Sequence, residues 1–286
     1  MANAVIFRDQ QSYENALQVL LKSEIYLETL QIPRFCQGLV APVILATGSL
    51  RPFLAALPHG ETSISGVIRY QPFRRDLPEA LPPDEKWREI LGELCIDTVR
   101  LSISDPIRLR VEISSGKPFG HLIPIMARLI RGGAYRPNVP VLAFEEEHRL
   151  LVFSSEALVI TRADDLLDFW MMLRSSIDLI CAAWDRRFSI KPDHEHRQGI
   201  GATEIFKRLP GTNCSKCGKR SCMEFAVSLS TGKSLIDQCQ PLTEDGQMER
   251  RKSLLWFMMA VGLTSGSGSN GSPNVARGQM SISDVI

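Results

Sequence analysis

Cysteine is scarce, aromatic residues make up 7%, and neither sign of charge dominates: 33 lysines and arginines stand against 32 aspartates and glutamates in 286 residues. A formal charge of +1 supplies no global field for nucleic acid or an anionic membrane. No helix-turn-helix signature or basic face marks a DNA binder, so no nucleic-acid partner is expected. No apolar run reaches the roughly 18 residues of a membrane span. Met1 to Asp9 carry no basic stretch followed by an apolar core, so no signal peptide is expected and the cytoplasm is the expected location. What remains is a globular composition, 44% hydrophobic and 23% charged, with length for a main domain plus a module.

The few cysteines are unevenly spread. Cys36, Cys95 and Cys181 are isolated in apolar contexts, whereas Cys214, Cys217, Cys222 and Cys239 fall within 26 residues, spaced C-x2-C-x4-C-x16-C. Disulfides suit small secreted domains, which this chain does not resemble. Zinc accepts four thiolates, but structural zinc sites usually pair two C-x2-4-C knuckles, and here Cys222 and Cys239 stand alone. An iron–sulfur cube takes one thiolate per iron from separated points, so the asymmetric spacing favours a cluster, with zinc as the alternative.

The residues around the thiols agree. Ser221-Cys-Met-Glu224 matches a capping box, predicting a helix that starts at Cys222 and places Cys222, Phe225, Ala226 and Leu229 on one face. Gly232 is the expected helix stop. From Thr203 to Gln240 six basic residues (Lys207, Arg208, Lys216, Lys219, Arg220, Lys233) face three acidic ones (Glu204, Glu224, Asp237). Such a surplus stabilises an anionic cluster.

The string Gly-Thr-Asn-Cys-x-x-Cys-Gly-x-x-x-Cys-x-x-Phe-Ala, followed by Leu229, Gly232, Cys239, Pro241 and Leu242, resembles a small four-cysteine 4Fe–4S domain. That domain is known from the large (gamma) subunit of the corrinoid iron–sulfur protein of acetyl-CoA synthesis and from the B subunit of the Rnf complex. The resemblance covers about 40 residues. It implies one 4Fe–4S cluster held by Cys214, Cys217, Cys222 and Cys239, electron transfer, a redox partner protein, and an anaerobic setting. The membrane anchor and ferredoxin-type cysteine runs of the Rnf subunit are absent here. In the corrinoid protein the module precedes the corrinoid-carrying domains, whereas here it follows a domain without a recognised relative.

The remaining chain predicts an α/β or α+β N-terminal domain with a mixed sheet (1–192), a linker (193–202), the small, mainly helical cluster module (203–242), a C-terminal helix (246–263) and a disordered tail (264–286). Periodicity predicts a helix over residues 10 to 30 capped by Ser12, a buried strand over Leu39–Ala46, and a helix over Leu50–Leu57 capped by Ser49. It predicts a strand over Ser63–Tyr70 with Gly66 marking a bulge, and an amphipathic helix through Trp87 and Leu94 capped near Asp84. Thr98–Ile103 and Ile107–Ile113 alternate as a strand pair with Val99, Leu101 and Ile103 inward. Val139–Phe144, Leu150–Phe153 and Leu158–Ile160 read as further strands. A long helix follows from about Asp165 to Arg187 with Asp164 as cap.

Three segments raise other chemistry. Ser114–Gly120 lies between a strand and a helix and reads either as a phosphate or cofactor loop using Lys117 or as a connection. His121 reads as an exposed or capped histidine before a metal or corrinoid ligand. The His194-Glu195-His196 run reads as exposed linker before metal site. No nucleophile–base pair names a reaction, so an electron-transfer component is expected before a stand-alone enzyme. A cluster-based redox or oxygen sensor, or a structural zinc protein, is the alternative.

Overall fold

A computed structural model describes residues 2–260, apart from residues 24, 58–63, 74–75, 131–132, 198–200 and 232. Gly232, the end of the C-terminal helix and the tail over 264–286 therefore lie outside the described residues. The chain divides into two compact units. One comprises residues 1–102, 106–130 and 145–193, and the other residues 103–105, 131–144 and 194–286. Both sheets of the first unit are antiparallel, with helices interspersed among the strands in sequence, an α+β arrangement.

The first sheet has the order β2 (Leu27–Leu30), β3 (Val43–Thr47), β1 (Ala2–Phe7), β4 (Ile64–Arg69). Ala4 to Phe7 are all buried, as expected of a strand covered on both faces. Val5 and Phe7 pack with Ile44 and Ala46 against Tyr13, Ala16 and Leu20 of α1 (Gln10–Leu20) and Phe53 of α2 (Leu50–Ala56). The expected helix over 10–30 is thus shorter. Asp9, not Ser12, is the cap, accepting the Ser12 N–H at 2.7 Å. Ser23 ends the helix by donating its hydroxyl to the Leu20 carbonyl at 2.6 Å. Leu27 to Leu30 then pair with β3, so sheet pairing overrides the helical period.

The bulge read at Gly66 is present: the β1–β4 register slips between Ile6 and Phe7, leaving Ser65 extra and directing its hydroxyl to the Ile96 carbonyl. A Cβ at Gly66 would lie 2.1 Å from the Val99 carbonyl oxygen, so backbone meets backbone there. Gly66→Ala is expected to destabilise the unit by about 1–3 kcal/mol through overpacking, read as a lower Tm with an unchanged denaturant m-value.

The second sheet of this unit runs β5 (Leu94–Leu101), β6 (Leu109–Ser115), β10 (Ala157–Ala163), β9 (Arg149–Phe153). Leu94 opens β5 instead of closing the preceding helix, because α3 (Lys86–Leu91) stops at Gly92 with φ 67°. Leu101 was expected inward with Val99, which is buried, but is 54% exposed, because it is the last residue of a strand at the sheet edge. Every residue of β9 and β10 is buried. α4 (Ile123–Leu129) and the 20-residue α5 (Leu166–Asp185) complete the layer, with Phe169, Trp170, Leu173, Ile177 and Ile180 in the core. Asp165, one residue later than expected, caps α5 by accepting the Asp168 N–H at 2.8 Å.

Two features fix the start of α5. Asp168 is fully buried, takes Arg149 Nε at 2.8 Å and accepts the Asp164 N–H at 2.9 Å. Cys36 is buried and donates its thiol to the Trp170 carbonyl at 2.9 Å; burial pushes that thiol up to about 12, so it stays neutral.

The second unit holds the antiparallel pair β7 (Ala134–Arg136) and β8 (Val141–Glu146), together with α6 (Ala202–Arg208), α7 (Cys222–Ser230) and α8 (Met248–Ala260). α6 and α8 are joined through Arg208, a buried side chain that bonds the Glu204 carboxylate at 3.0 Å and stacks over Phe257 at 4.1 Å. Arg250 of α8 donates to the Leu209 carbonyl at 3.3 Å, beyond the last residue of α6. No helix among the described residues is long and apolar enough to cross a membrane.

Candidate metal centre

Pro210-Gly211 ends α6 and sends the chain into the first cysteines. Gly211, Asn213, Ser215 and Gly218 all have positive φ (73°, 49°, 58° and 78°), so left-handed residues recur through a loop of eight. Only Gly takes that conformation freely and Asn comes next, so Ser215 is held there by its surroundings. The Gly218 N–H closes the turn on the Ser215 carbonyl at 2.9 Å. Left-handed residues between right-handed ones turn successive N–H groups into one concavity, which favours anions. The effect is visible at Cys214: the Lys216 backbone N–H, then the Thr212 hydroxyl, hold its thiol below the usual value.

Cys222 begins α7 as the capping pattern predicts. Ser221 accepts the Glu224 N–H at 3.1 Å, while the Glu224 carboxylate reaches back to the Arg220 N–H at 2.9 Å, one residue earlier than a capping box requires. Asn213 ties the two cysteine segments together by accepting the Cys222 N–H at 2.8 Å. Phe225, Ala226 and Leu229 lie buried on the same face as Cys222. After α7, a buried Ser228–Ser234 hydroxyl pair at 2.7 Å turns the chain, and two short 3-10 turns, Ile236–Gln238 and Gln240–Thr243, set Cys239 between them. Burial pushes the Cys239 thiol up to about 11, and the neighbouring cysteines add to the rise.

All four thiols line one small cleft, shared with Phe225 and Pro241. They do not close on a single point. Among the described residues, the metal-ligating side chains whose donor atoms approach within 4.8 Å in threes are His148, Asp164 and Asp168, not the cysteines. Exposure is graded across the cleft: Cys214 is exposed, Cys217 half-buried, Cys222 and Cys239 buried. In the metal-free chain iodoacetamide is therefore expected to modify Cys214 first and Cys36 last, an order that mass mapping of a time course checks.

The charge around the cleft is more lopsided than the sequence count. Glu204 is engaged by Lys207 and Arg208, and Asp237 pairs with Arg251. That leaves Lys216, Lys219, Arg220 and Lys233 against Glu224 within residues 203–240, with Lys219 lining the cleft.

The other candidates carry less. In Ser114–Gly120 the N–H groups of Ser115, Gly116, Lys117, Phe119 and Gly120 all donate to protein carbonyls, and Lys117 Nζ reaches the Glu89 carbonyl at 3.1 Å. The loop is a packed connection with its donors spent, not a phosphate cradle. His121 lies edge-on to Trp184, ring centroids 6.2 Å apart. His194, Glu195 and His196 are exposed without helix or strand. Glu145 and Glu147 each bond an arginine, Arg162 and Arg149 respectively. His148 sits 3.2 Å from Asp164, but Arg108 and Arg149 already neutralise Asp164 and Asp168. An open cleft of about 750 Å³ beside the start of α1, lined by Gln37, Trp87, Arg88 and Glu93, brings no nucleophile to a base.

The sequence reading passed over Thr212 and the Lys216 N–H; alternating left-handed positions at Gly211 and Asn213 were the available signal.

Residues 209–241 match the family model described as "Putative Fe-S cluster". Subunit gamma of the acetyl-CoA decarbonylase/synthase complex of Methanocaldococcus jannaschii is 47% identical over 53 residues, 18% of this chain and 11% of the relative. The corrinoid/iron–sulfur protein large subunit of Moorella thermoacetica is 44% identical over 46 residues, 16% of this chain and 10% of the relative. A further gamma subunit, from Methanothermobacter thermautotrophicus, is 40% identical over 53 residues, again 18% of this chain and 11% of the relative. The chain thus spans about a tenth of the length of these curated relatives. No solved structure matches. Residues 209–241 are an iron–sulfur domain of the kind found in those subunits.

Proposed function

We propose that residues 203–242 hold one 4Fe–4S cluster through Cys214, Cys217, Cys222 and Cys239, and that the protein passes electrons to a partner protein or bound cofactor. The observation that carries this reading is the spread of four thiols around one cleft with no three of them within 4.8 Å. Four sulfurs on one zinc at about 2.3 Å would sit about 3.8 Å apart. A cube separates its thiolates further, because each binds a different iron. The left-handed positions of the loop, the start of α7 and the cationic surplus all suit an anionic occupant.

With every iron ligated by cysteine, such a cluster leaves no open position for substrate, which favours electron transfer over catalysis. The exposed edge at Cys214 gives a short path to a partner, while Cys222 and Cys239 anchor the group in the core. The names of the relatives favour a process involving acetyl-CoA and a corrinoid; the setting proposed for an oxygen-sensitive cluster is an anaerobic cytoplasm. Anaerobic reconstitution followed by iron, zinc and acid-labile sulfide analysis tests the reading. About four irons and four sulfides per chain are expected for one cube; zinc without sulfide contradicts it.

A further inference from the structure

The outer side of α7 carries exposed apolar side chains, and Val139, Leu235 and Met248 are exposed elsewhere in the second unit. Met223 and Val227, one helical turn apart, are 39% and 48% exposed although the opposite side of the same helix is fully packed. Residues four apart project from the same side of a helix, so the two make one apolar strip. Lys216, Lys219 and Arg220 stand at the start of this helix beside the exposed Cys214, and Lys233 stands past its end. All three acids between Thr203 and Gln240 are engaged. Glu224 turns back to the Arg220 N–H, Asp237 is paired with Arg251, and Glu204 is buried with Lys207 and Arg208.

We infer that this strip with its cationic border is the docking surface for an acidic electron-carrier protein whose own redox centre lies near its surface. The inference rests on the cluster reading. A small apolar centre ringed by charge is the anatomy of a transient interface, with charge setting encounter rate and orientation more than final affinity. Cys214 is the most exposed of the four thiols and precedes Lys216, Lys219 and Arg220 in the same loop, so it offers the accessible edge of the cluster site to a docked carrier. In the step inferred, the reduced carrier gives up one electron and the 4Fe–4S centre accepts it, passing from the 2+ to the 1+ core state. No bond is made or broken.

The test uses the full-length, reconstituted protein and a reduced acidic ferredoxin, followed by stopped-flow absorbance at rising salt. Arg220→Glu with Lys233→Glu reverses two charges at opposite ends of the strip without touching the cleft, and Val227→Asp marks its apolar centre separately. The small cationic reductant methyl viologen serves as a probe that needs no docking. At low salt the charge-reversed protein is expected to accept electrons from ferredoxin about tenfold or more slowly, the gap closing as salt rises. Its visible spectrum should remain that of the parent, its midpoint potential should fall as two cations near an anionic cluster become anions, and viologen should still reduce it at close to the parent's rate. A ferredoxin rate indifferent to both salt and charge reversal, or an equal slowing with viologen, overturns the docking surface and leaves the cluster standing. A parent chain that takes up no iron and sulfide overturns the cluster reading and the docking surface with it.

Discussion

Cys239→Ser is expected to reduce cluster uptake to a small fraction of the parent's and to shift the pH dependence of what remains. Cys239 sits between two 3-10 turns, 5% exposed, and burial pushes its thiol from 9.0 up to about 11. In the metal-free protein it is therefore neutral near pH 7, and binding iron must displace its proton. Two opposite pH dependences follow. A folded-state value above the unfolded one means the neutral thiol favours folding below pH 9, and that contribution is lost as the pH rises through about 11. Cluster assembly runs the other way, gaining as rising pH removes the proton in competition with iron. Reconstitution rates across pH 7 to 9 and metal-free melting temperatures across pH 9 to 11 measure the two arms. A serine hydroxyl is far harder to ionise and is a poor iron ligand, so the variant should lose the assembly arm. Normal iron and sulfide content in Cys239→Ser would remove this residue from the ligand set.

Asp168→Ala is expected to be the most damaging polar substitution in the first unit. Asp168 is fully buried, pairs with the nearly buried Arg149 at 2.8 Å, and satisfies the Asp164 N–H ahead of α5. The alanine leaves a guanidinium with one fewer buried partner and a backbone donor unmet. Breaking one side of a buried pair costs about 3–5 kcal/mol. In a domain of this size that is a fall in Tm of about 10 °C. Asp168→Asn keeps an acceptor for the Asp164 N–H and should lose less, so the order alanine, asparagine, parent in thermal melts checks the account. Equal melting of parent and alanine variant would mean that Arg149 finds full compensation from Glu147, which bonds its other end.

How much could be read in advance differs between the two regions. Around the cysteines nearly everything was local: Ser221 and Glu224 mark the start of α7, Phe225, Ala226 and Leu229 its buried face, and the spacing of the thiols suggests the proposed donor set. The finer geometry was less legible, because the bond that the Asn213 side chain accepts from the first N–H of α7 spans nine residues and the turn after α7 rests on a Ser228–Ser234 bond. In the first unit the periodic segments gave element types, but boundaries followed from distant partners. Leu27–Leu30 became a strand because β3 offered an edge, and Ala2–Phe7, too short and too apolar to show alternation, is the strand that joins β3 to β4. Ser114–Gly120 resembled a ligand loop because its glycines and lysine are what such loops use. The carbonyls of Leu91, Glu93, Ser155 and Glu156 that consume its donors come from two other segments. Residues 131–144, grouped with the C-terminal residues in the second unit, carry no sequence mark of that membership.

The central claim is that four thiolates at Cys214, Cys217, Cys222 and Cys239 hold a cube. Low-temperature EPR of the anaerobically reconstituted and dithionite-reduced protein, beside each single cysteine-to-serine variant, tests it most directly. The account predicts a spin-one-half 4Fe–4S spectrum in the parent that is lost or converted in all four variants. An unchanged 4Fe–4S spectrum in the Cys214 or Cys239 variant, or a parent with zinc and no spectrum at all, would contradict it.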